Sequence, residues 1–297
     1  MNLELENICK NFGEKQVLKG INLKATSGQA LGLLGRNGAG KTTTIRIIMG
    51  IFRQDSGTVL MNEGAKIGYM PEERGLYPKK NILEQMVYLG QLRGLSAKEA
   101  KARSHILLEQ LEATEHIDKR LDNLSKGNQQ KIQLAIAVIN DPDIVILDEP
   151  FSGLDPVNSA LLKQMIEGLV KQNKIVLFSS HQMSYVEEFC RHICIIKDGE
   201  IILDGMLDEI KRSYPRNKVL VVPEKAEDTD RLQAALTPLA ELQPANRGFI
   251  CGIQPVRSSD RLMAALVEQK IPVERFEIIE PTLEEIFVEK AGEQCSE

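Results

Sequence analysis

No apolar run in the 297-residue sequence approaches the ~18 residues that a membrane-spanning helix needs. A role at a membrane would therefore require a second chain to supply the membrane part. The N-terminus, Met1-Asn2-Leu3-Glu4-Leu5-Glu6, lacks the basic-then-apolar pattern of a secretion signal. Excess basic charge is missing too: the net charge of −5 speaks against a general nucleic-acid binder. Cysteine is scarce, and its five copies (Cys9, Cys190, Cys194, Cys251 and Cys295) are scattered and odd in number. Cys190 and Cys194 have no second pair to complete a zinc site, so reduced thiols in a cytosolic compartment are expected. What is present is ordinary for a globular protein, with 42% hydrophobic and 27% charged residues. The length suggests two domains and a core that needs no disulfide staples.

The most informative stretch is Gly35-Arg36-Asn37-Gly38-Ala39-Gly40-Lys41-Thr42-Thr43, which fits the phosphate-binding pattern G-x-x-x-x-G-K-[ST]. Its flanks fit as well. Ala30-Leu31-Gly32-Leu33-Leu34 reads as a buried strand, and Thr44-Ile45-Arg46-Ile47-Ile48-Met49 as a helix ending near Gly50. Glycine lets the backbone turn N–H groups toward an anion, and the helix N-terminus adds partial positive charge. Lys41 supplies a point charge for the β- and γ-phosphates, and the Thr42 hydroxyl suits Mg²⁺. A nucleoside triphosphate is the expected ligand.

Residues 2–31 read as short strands, with Asn11-Phe12-Gly13-Glu14 as a turn; locally, Phe12 reads as a packing residue at a hairpin end. Strand and turn patterns continue to Met70 and run into the loop Pro71-Glu72-Glu73-Arg74-Gly75-Leu76-Tyr77-Pro78. From Asn81 the period becomes helical, Ser96-Ala97-Lys98-Glu99 forms a capping box, and residues 80–140 read as a helical insert. Ser125, Gly127 and Asn128 stand at the head of another helix, where local pattern favours a plain N-cap over an anion site. Ile144-Val145-Ile146-Leu147 is a buried strand running into Asp148-Glu149-Pro150. Packing does not explain acids at such a strand end, where α/β folds bind ligands. Asp148 reads as a Mg²⁺-associated carboxylate and Glu149 as a general base. A helix opened by Asp155-Pro156 follows, then the strand Ile175-Val176-Leu177-Phe178 with His181 beyond its carboxyl end.

The polar, basic residues 211–218 read as a linker between a first domain of residues 1–212 and a second of 218–297. In the second, the pattern gives strand 218–222, helix 229–240, strand 248–253, helix 258–269, strand 273–279 and helix 281–290, with a solvated Glu-rich tail. The expected fold is therefore an α/β phosphate-loop domain with a β-rich N-terminal part and a helical subdomain, plus a small α+β unit. That unit has no clustered catalytic residue types, so a regulatory, dimerising or bracing role is expected of it.

Taken together, these motifs resemble the nucleotide-binding subunits of ABC transporters over residues 2–210. Residues 35–43 look like the Walker A loop, and residues 144–149 look like the Walker B strand with its catalytic glutamate. Leu124-Ser125-Lys126-Gly127-Asn128 sits where the signature motif belongs, Ser152-Gly153-Leu154-Asp155 resembles the D-loop, and His181 the switch histidine. Phe12 falls where the family stacks adenine. Two departures stand out. Glu72 replaces the usual glutamine, adding charge and removing an amide donor. Lys126 and Asn128 replace glycine and glutamine in the signature, while Ser125 and Gly127 are kept. The loop after Pro71, the signature variant and the closing Pro281-Thr282-Leu283-Glu284-Glu285-Ile286-Phe287 resemble a sodium- or drug-efflux subgroup with a C-terminal accessory domain.

The resemblance implies an ATPase using ATP and Mg²⁺. Lys41, Glu149 and His181 would be catalytic. Phe12, residues 35–43, Ser125, Gly127 and Asn128 would bind nucleotide, and Thr42, Asp148 and Glu72 would associate with the metal. It also implies a head-to-tail homodimer, or a pseudo-symmetric heterodimer, sandwiching two ATP molecules. A separate transmembrane permease would hold the dimer at the cytoplasmic face of the membrane, facing the helical insert and the Glu72 loop, with no nucleic-acid partner. The rival reading is a soluble ABC ATPase of translation or DNA repair. A single cassette, no long coiled coil and acidic charge speak against it.

Overall fold

The computed structural model describes residues 2–73, 75–253 and 258–292. Arg74, Cys295 and the Glu-rich tail lie outside the described residues. The chain forms two compact units, one running to Leu207 and taking back the chain from Glu289, the other spanning Asp208–Val288.

In the first unit, β1 (Asn2–Phe12), β2 (Lys15–Thr26) and β4 (Ser56–Leu60) form an antiparallel sheet in the order β2-β1-β4. β1 and β2 make one long bulged hairpin rather than the short strands expected. The register shifts between Leu5 and Ile8, where Asn7 takes φ 49°, and there the sequence alternation breaks. Phe12 closes β1, leaving Gly13 and Glu14 as the turn.

The second sheet contains β3 (Gln29–Leu34), β5 (Ile67–Met70), β6 (Ile144–Asp148), β7 (Ile175–Ser179), β8 (His192–Lys197) and β9 (Glu200–Met206), in the order β5-β6-β7-β3-β8-β9. The first five strands are parallel, and β9 returns antiparallel through the Asp198-Gly199 turn, both residues at positive φ. Every residue of β6 and β7 is buried, as strands covered on both faces require, which explains their unbroken apolar runs. Register places the site: Met70 pairs with Leu147, Asp148 with Ser179, and Leu33 with Ser179. The loops after β5, β6, β7 and β3 therefore leave one edge of the sheet side by side.

α1 (Lys41–Ile48) follows β3 and contributes Ile45, Ile47 and Ile48 to a core shared with Leu3, Leu5 and Leu23 of the antiparallel sheet and Leu33, Ile146 and Leu177 of the parallel one. Between β5 and β6 lie α2 (Ile82–Leu92), α3 (Ala97–Gln110) and α4 (Lys126–Ala137). Asn81 caps α2, and Ser96 with Glu99 forms the expected capping box on α3, each cap contributing ~1 kcal/mol. Asp155 caps α5 (Pro156–Lys171), with Pro156 in its first turn. Although aromatics are few, Phe151, Phe178, Tyr185 and Phe189 stack with centroids 4.2–6.0 Å apart, fixing the turn after Glu149 against β7 and α6 (Met183–Phe189).

Part of the stretch expected to be a linker is helical. α7 (Leu207–Ser213) includes Lys211 and Arg212 in its last turn and Asp208 and Glu209 in its first, charges that suit the helix dipole. In the second unit, β10 (Lys218–Pro223), β11 (Glu241–Ala245), β12 (Gly248–Gly252) and β13 (Val273–Ile279) form an antiparallel sheet ordered β11-β12-β10-β13. α8 (Thr229–Leu236) and α9 (Ser258–Glu268) place Leu232, Leu236, Leu262 and Leu266 in one core with Val219, Val221 and Cys251. Sequence reasoning missed β11 and ran α8 four residues too far. The strand carries Pro244 and lies at the sheet edge, where a missing N–H is tolerated. Thr282 and Glu285 exchange backbone-to-side-chain hydrogen bonds at the head of α10 (Leu283–Ala291), and Glu285 also pairs with Lys218.

Candidate active site

The loop of residues 35–40 leaves β3 and turns directly into α1. Gly40 is left-handed at φ 119°, and a Cβ there would lie 2.7 Å from Leu18 Cδ2, so only glycine fits. Ala39 N–H donates to Arg36 O at 3.1 Å, closing the turn. Arg36, Asn37, Gly38 and Thr42 are exposed, and Lys41 and Thr43 half-buried. Lys41 folds back over the loop, its Nζ donating to Gly35 O at 2.6 Å and Arg36 O at 3.3 Å. Burial lowers the Lys41 pKa, opposed by the nearby charges of Glu149, Asp148 and Glu72. The loop cation thus faces carboxylates from the two neighbouring loops.

Asp148 ends β6 and is 6% exposed. Burial pushes its carboxyl above the ordinary range; Ser179 opposes this, Glu72 and Glu149 reinforce it, and Lys41 opposes it. Tyr69 Oη donates to Asp148 Oδ2 at 3.5 Å, and burial together with that carboxylate pushes the phenol to about 12. Among the described residues no three His, Cys, Asp or Glu side chains stand close enough to cage a metal. Thr42, Asp148 and Glu72 do present hard oxygen donors. That set suits an ion held by one or two carboxylates and completed by substrate phosphates, as Mg²⁺ usually is.

Glu149 is buried and sits at φ 51°, a conformation uncommon for a residue with a side chain. Its N–H donates to Ser179 O at 2.9 Å. Its carboxylate accepts from Ser180 Oγ at 3.0 Å and His181 N at 2.7 Å, and lies 2.8 Å from His181 Nδ1. The His181 ring is 67% exposed, so the pair has one buried and one solvent-facing member.

Ser125 caps α4, its hydroxyl accepting from Asn128 N at 3.3 Å, as the local pattern predicts. The amide of Asn128 meets His116 Nε2 at 2.9 Å, and Lys119 Nζ lies 3.1 Å from His116 Nδ1. A Cβ on Gly127 would lie 2.7 Å from Asn158 Nδ2 and 3.4 Å from Leu154 Cδ2. The contacts of Ser125, Gly127 and Asn128 thus run into the insert and to the head of α5. Sequence reasoning missed two buried amides further along α4. Gln130 Nε2 donates to Pro150 O (3.0 Å) and Glu149 O (3.4 Å), and Gln133 Nε2 to Pro71 O (2.7 Å) and Glu73 O (3.3 Å). It also missed Tyr69 and Ser180, whose roles appear only once β5, β6 and β7 are paired. Phe12 is 45% exposed, edge-on to Phe52 with centroids 5.4 Å apart, and Lys10 Nζ lies 5.5 Å from its ring. Asp55 fixes this corner by accepting from Lys10, Asn11 N and Asn11 Nδ2.

Matches to known proteins span nearly all of the chain. Residues 18–152 fit the family described as ABC transporter, and residues 205–291 fit the C-terminal domain of DrrA1-3-like ATP-binding proteins. The ABC transporter ATP-binding protein YhaQ of Bacillus subtilis is 39% identical over 297 residues, covering 98% of each chain. The chain belongs to the ABC transporter ATP-binding proteins. The subunit is accordingly an ATPase. The linearmycin resistance ATP-binding protein of Bacillus subtilis is 36% identical over 213 residues, covering 68% of each. The solved structure of an ATP-binding subunit of an ABC transporter matches with TM-score 0.67 and 28% identity, over 72% of this chain and 93% of that one. The dimeric structure of a bacterial ABC transporter cassette matches at 0.62 and 25%, over 69% and 98%. Among the described residues of this subunit, no helix is long and apolar enough to cross a membrane.

Proposed function

We propose that this subunit drives an exporter, working as a head-to-tail dimer that encloses two ATP molecules beneath a separate permease at the cytoplasmic face of the membrane. One observation carries the reading. Lys41, Asp148, Glu149 and His181 converge on one sheet edge, whereas the signature residues Ser125, Gly127 and Asn128 contact the insert and the head of α5. Each ATP would meet the loop of one copy and the α4 N-terminus of the other, so the Ser125 cap becomes an anion site for the partner's nucleotide. Existence of a dimeric cassette among the structural relatives supports this arrangement. The names of relatives, Nod factor export and linearmycin resistance, support the outward direction.

In this reading, Phe12 stacks on adenine, and the N–H groups of residues 35–43 cradle the phosphates. Lys41 neutralises charge that develops in transfer. Mg²⁺, associated with Thr42, Asp148 and Glu72, would supply further neutralisation when bound. Glu149 accepts the proton of the attacking water, and its two fixed donors, Ser180 Oγ and His181 N, keep it aimed while its φ of 51° is held. His181 orients that water and the γ-phosphate. The test is purification of the subunit from membranes. A co-purifying hydrophobic chain whose presence changes ATP turnover, and which moves substrate outward, is expected. Salt-sensitive ribosome or DNA binding with no membrane partner would instead support the soluble reading.

A further inference from the structure

We propose that Gln130 and Gln133 are positioning residues that join the Glu72 loop to the Glu149 turn through one turn of α4. The inference rests on the assignment of Glu149 as the base. The two glutamines lie three residues apart, on one helix face. Both are buried, at 8% and 4% exposure. Each uses its amide nitrogen as a two-pronged donor to two main-chain carbonyls at an acidic residue. Gln133 binds the carbonyls of Pro71 and Glu73, which bracket Glu72; Gln130 binds those of Glu149 and Pro150. The amide orientation follows from chemistry, since a carbonyl can only accept. β5 ends at Met70 and β6 at Asp148, so these carbonyls lie beyond the sheet ladder; that of Glu149 also accepts from Ser152 N–H at 3.1 Å, whereas Pro150 O receives Gln130 at 3.0 Å. The far end of α4 is also fixed: Arg93 donates to the carbonyls of Ile136 and Ala137.

The consequence is mechanical. The Glu72 loop and the base are not in register contact beyond the Met70–Leu147 pair, yet both are hung from one rigid helical turn whose N-terminus carries Ser125 and Asn128. A displacement of the Glu72 loop therefore shifts the backbone of residues 149–150, and with it the aim of a carboxylate whose geometry must hold to a fraction of an ångström. Ordinary loop satisfaction would give each glutamine a local effect only; a bridge makes the effects shared.

Gln130→Met and Gln133→Met remove the donors at nearly constant volume, in the full chain with MgATP. Each is expected to lower kcat about tenfold with KM little changed, and the double variant to lose no more than either single one. In Gln133→Met, amide hydrogen exchange should rise at Glu149, Phe151 and Ser152, which Gln133 does not touch. If that variant does not fold, Gln133→Asn, one methylene too short to reach Pro71, is read in the same way. Unchanged kcat, losses that multiply in the double variant, or exchange changes confined to residues 71–76 would overturn the bridge. Glu149→Gln measured alongside separates the two assignments. Full turnover by Glu149→Gln removes the base and the bridge with it, whereas an inactive Glu149→Gln beside an unaffected Gln133→Met removes the bridge alone.

Discussion

Replacing Glu149 by glutamine tests the base without dismantling its surroundings. The carboxylate oxygen Oε1 receives His181 N–H at 2.7 Å and lies 2.8 Å from the imidazole Nδ1, while Oε2 receives the Ser180 hydroxyl at 3.0 Å. A glutamine NH₂ cannot take the first position, where it would oppose a main-chain N–H. It can take the second, because the Ser180 hydroxyl can rotate to accept. The folded geometry therefore survives, at a cost of about 1 kcal/mol or less for one changed hydrogen bond. What disappears is the proposed proton acceptor. General-base action contributes about 10²–10⁴ in rate, or roughly 3–5 kcal/mol of barrier. Phosphate release at saturating MgATP should fall by at least about 100-fold, while ATP affinity measured by calorimetry and the unfolding midpoint stay near wild type. Turnover within a few-fold of wild type would refute the assignment of Glu149, and collapse of ATP binding along with turnover would refute the argument that the glutamine fits.

Lys41→Ala removes a charge-assisted contact worth about 2–3 kcal/mol, so ATP affinity should fall roughly 100-fold; unchanged binding would contradict the role of residues 35–43. Gly127→Ala places a methyl 2.7 Å from Asn158 Nδ2. Helix propensity offsets the strain, so the unfolding midpoint should barely move while turnover falls about tenfold through the displaced head of α5. His116 is buried, and burial followed by Lys119 and Lys131 lowers its pKa below 6.5 against the pull of Glu115. The folded state thus favours the neutral ring, a contribution to stability present above the unfolded pKa and lost as pH falls through the folded one. As pH falls below 6.5, the melting temperature of His116→Gln should decline less than that of the wild type; parallel declines would dismiss His116 as the titrating group.

The parts of the site legible in the sequence are those encoded locally. Residues 35–43 stand out as a candidate phosphate loop because glycine, lysine and threonine fall at the spacing such a loop needs. Asp148 and Glu149 do so because acids at the end of a buried strand have no packing rationale. The same holds for the Ser96–Glu99 and Asp155 caps. What stayed hidden depends on partners distant in the chain. Gln130 and Gln133 look like polar positions on a helix until α4 is laid against the loops after β5 and β6. Tyr69 becomes part of the site only through the β5–β6 register. Asn128 looks like a weakened signature residue until His116 meets its amide. β11 was masked by Pro244, which edge position permits, and the start of α7 by a basic stretch whose acidic neighbours Asp208 and Glu209 carry the helix signal.

The composite site is the central claim, and complementation measures it directly. On this account Lys41→Ala would disable the loop and Ser125→Arg the α4 N-terminus, so that a homodimer of either variant would have no intact site. In a head-to-tail mixed dimer, the loop of the Ser125→Arg copy faces the α4 N-terminus of the Lys41→Ala copy, and one intact site is restored. Mixing the two inactive proteins with MgATP should therefore recover ATP hydrolysis. A mixture as inactive as its components would mean that each chain completes its own site, and would contradict the account.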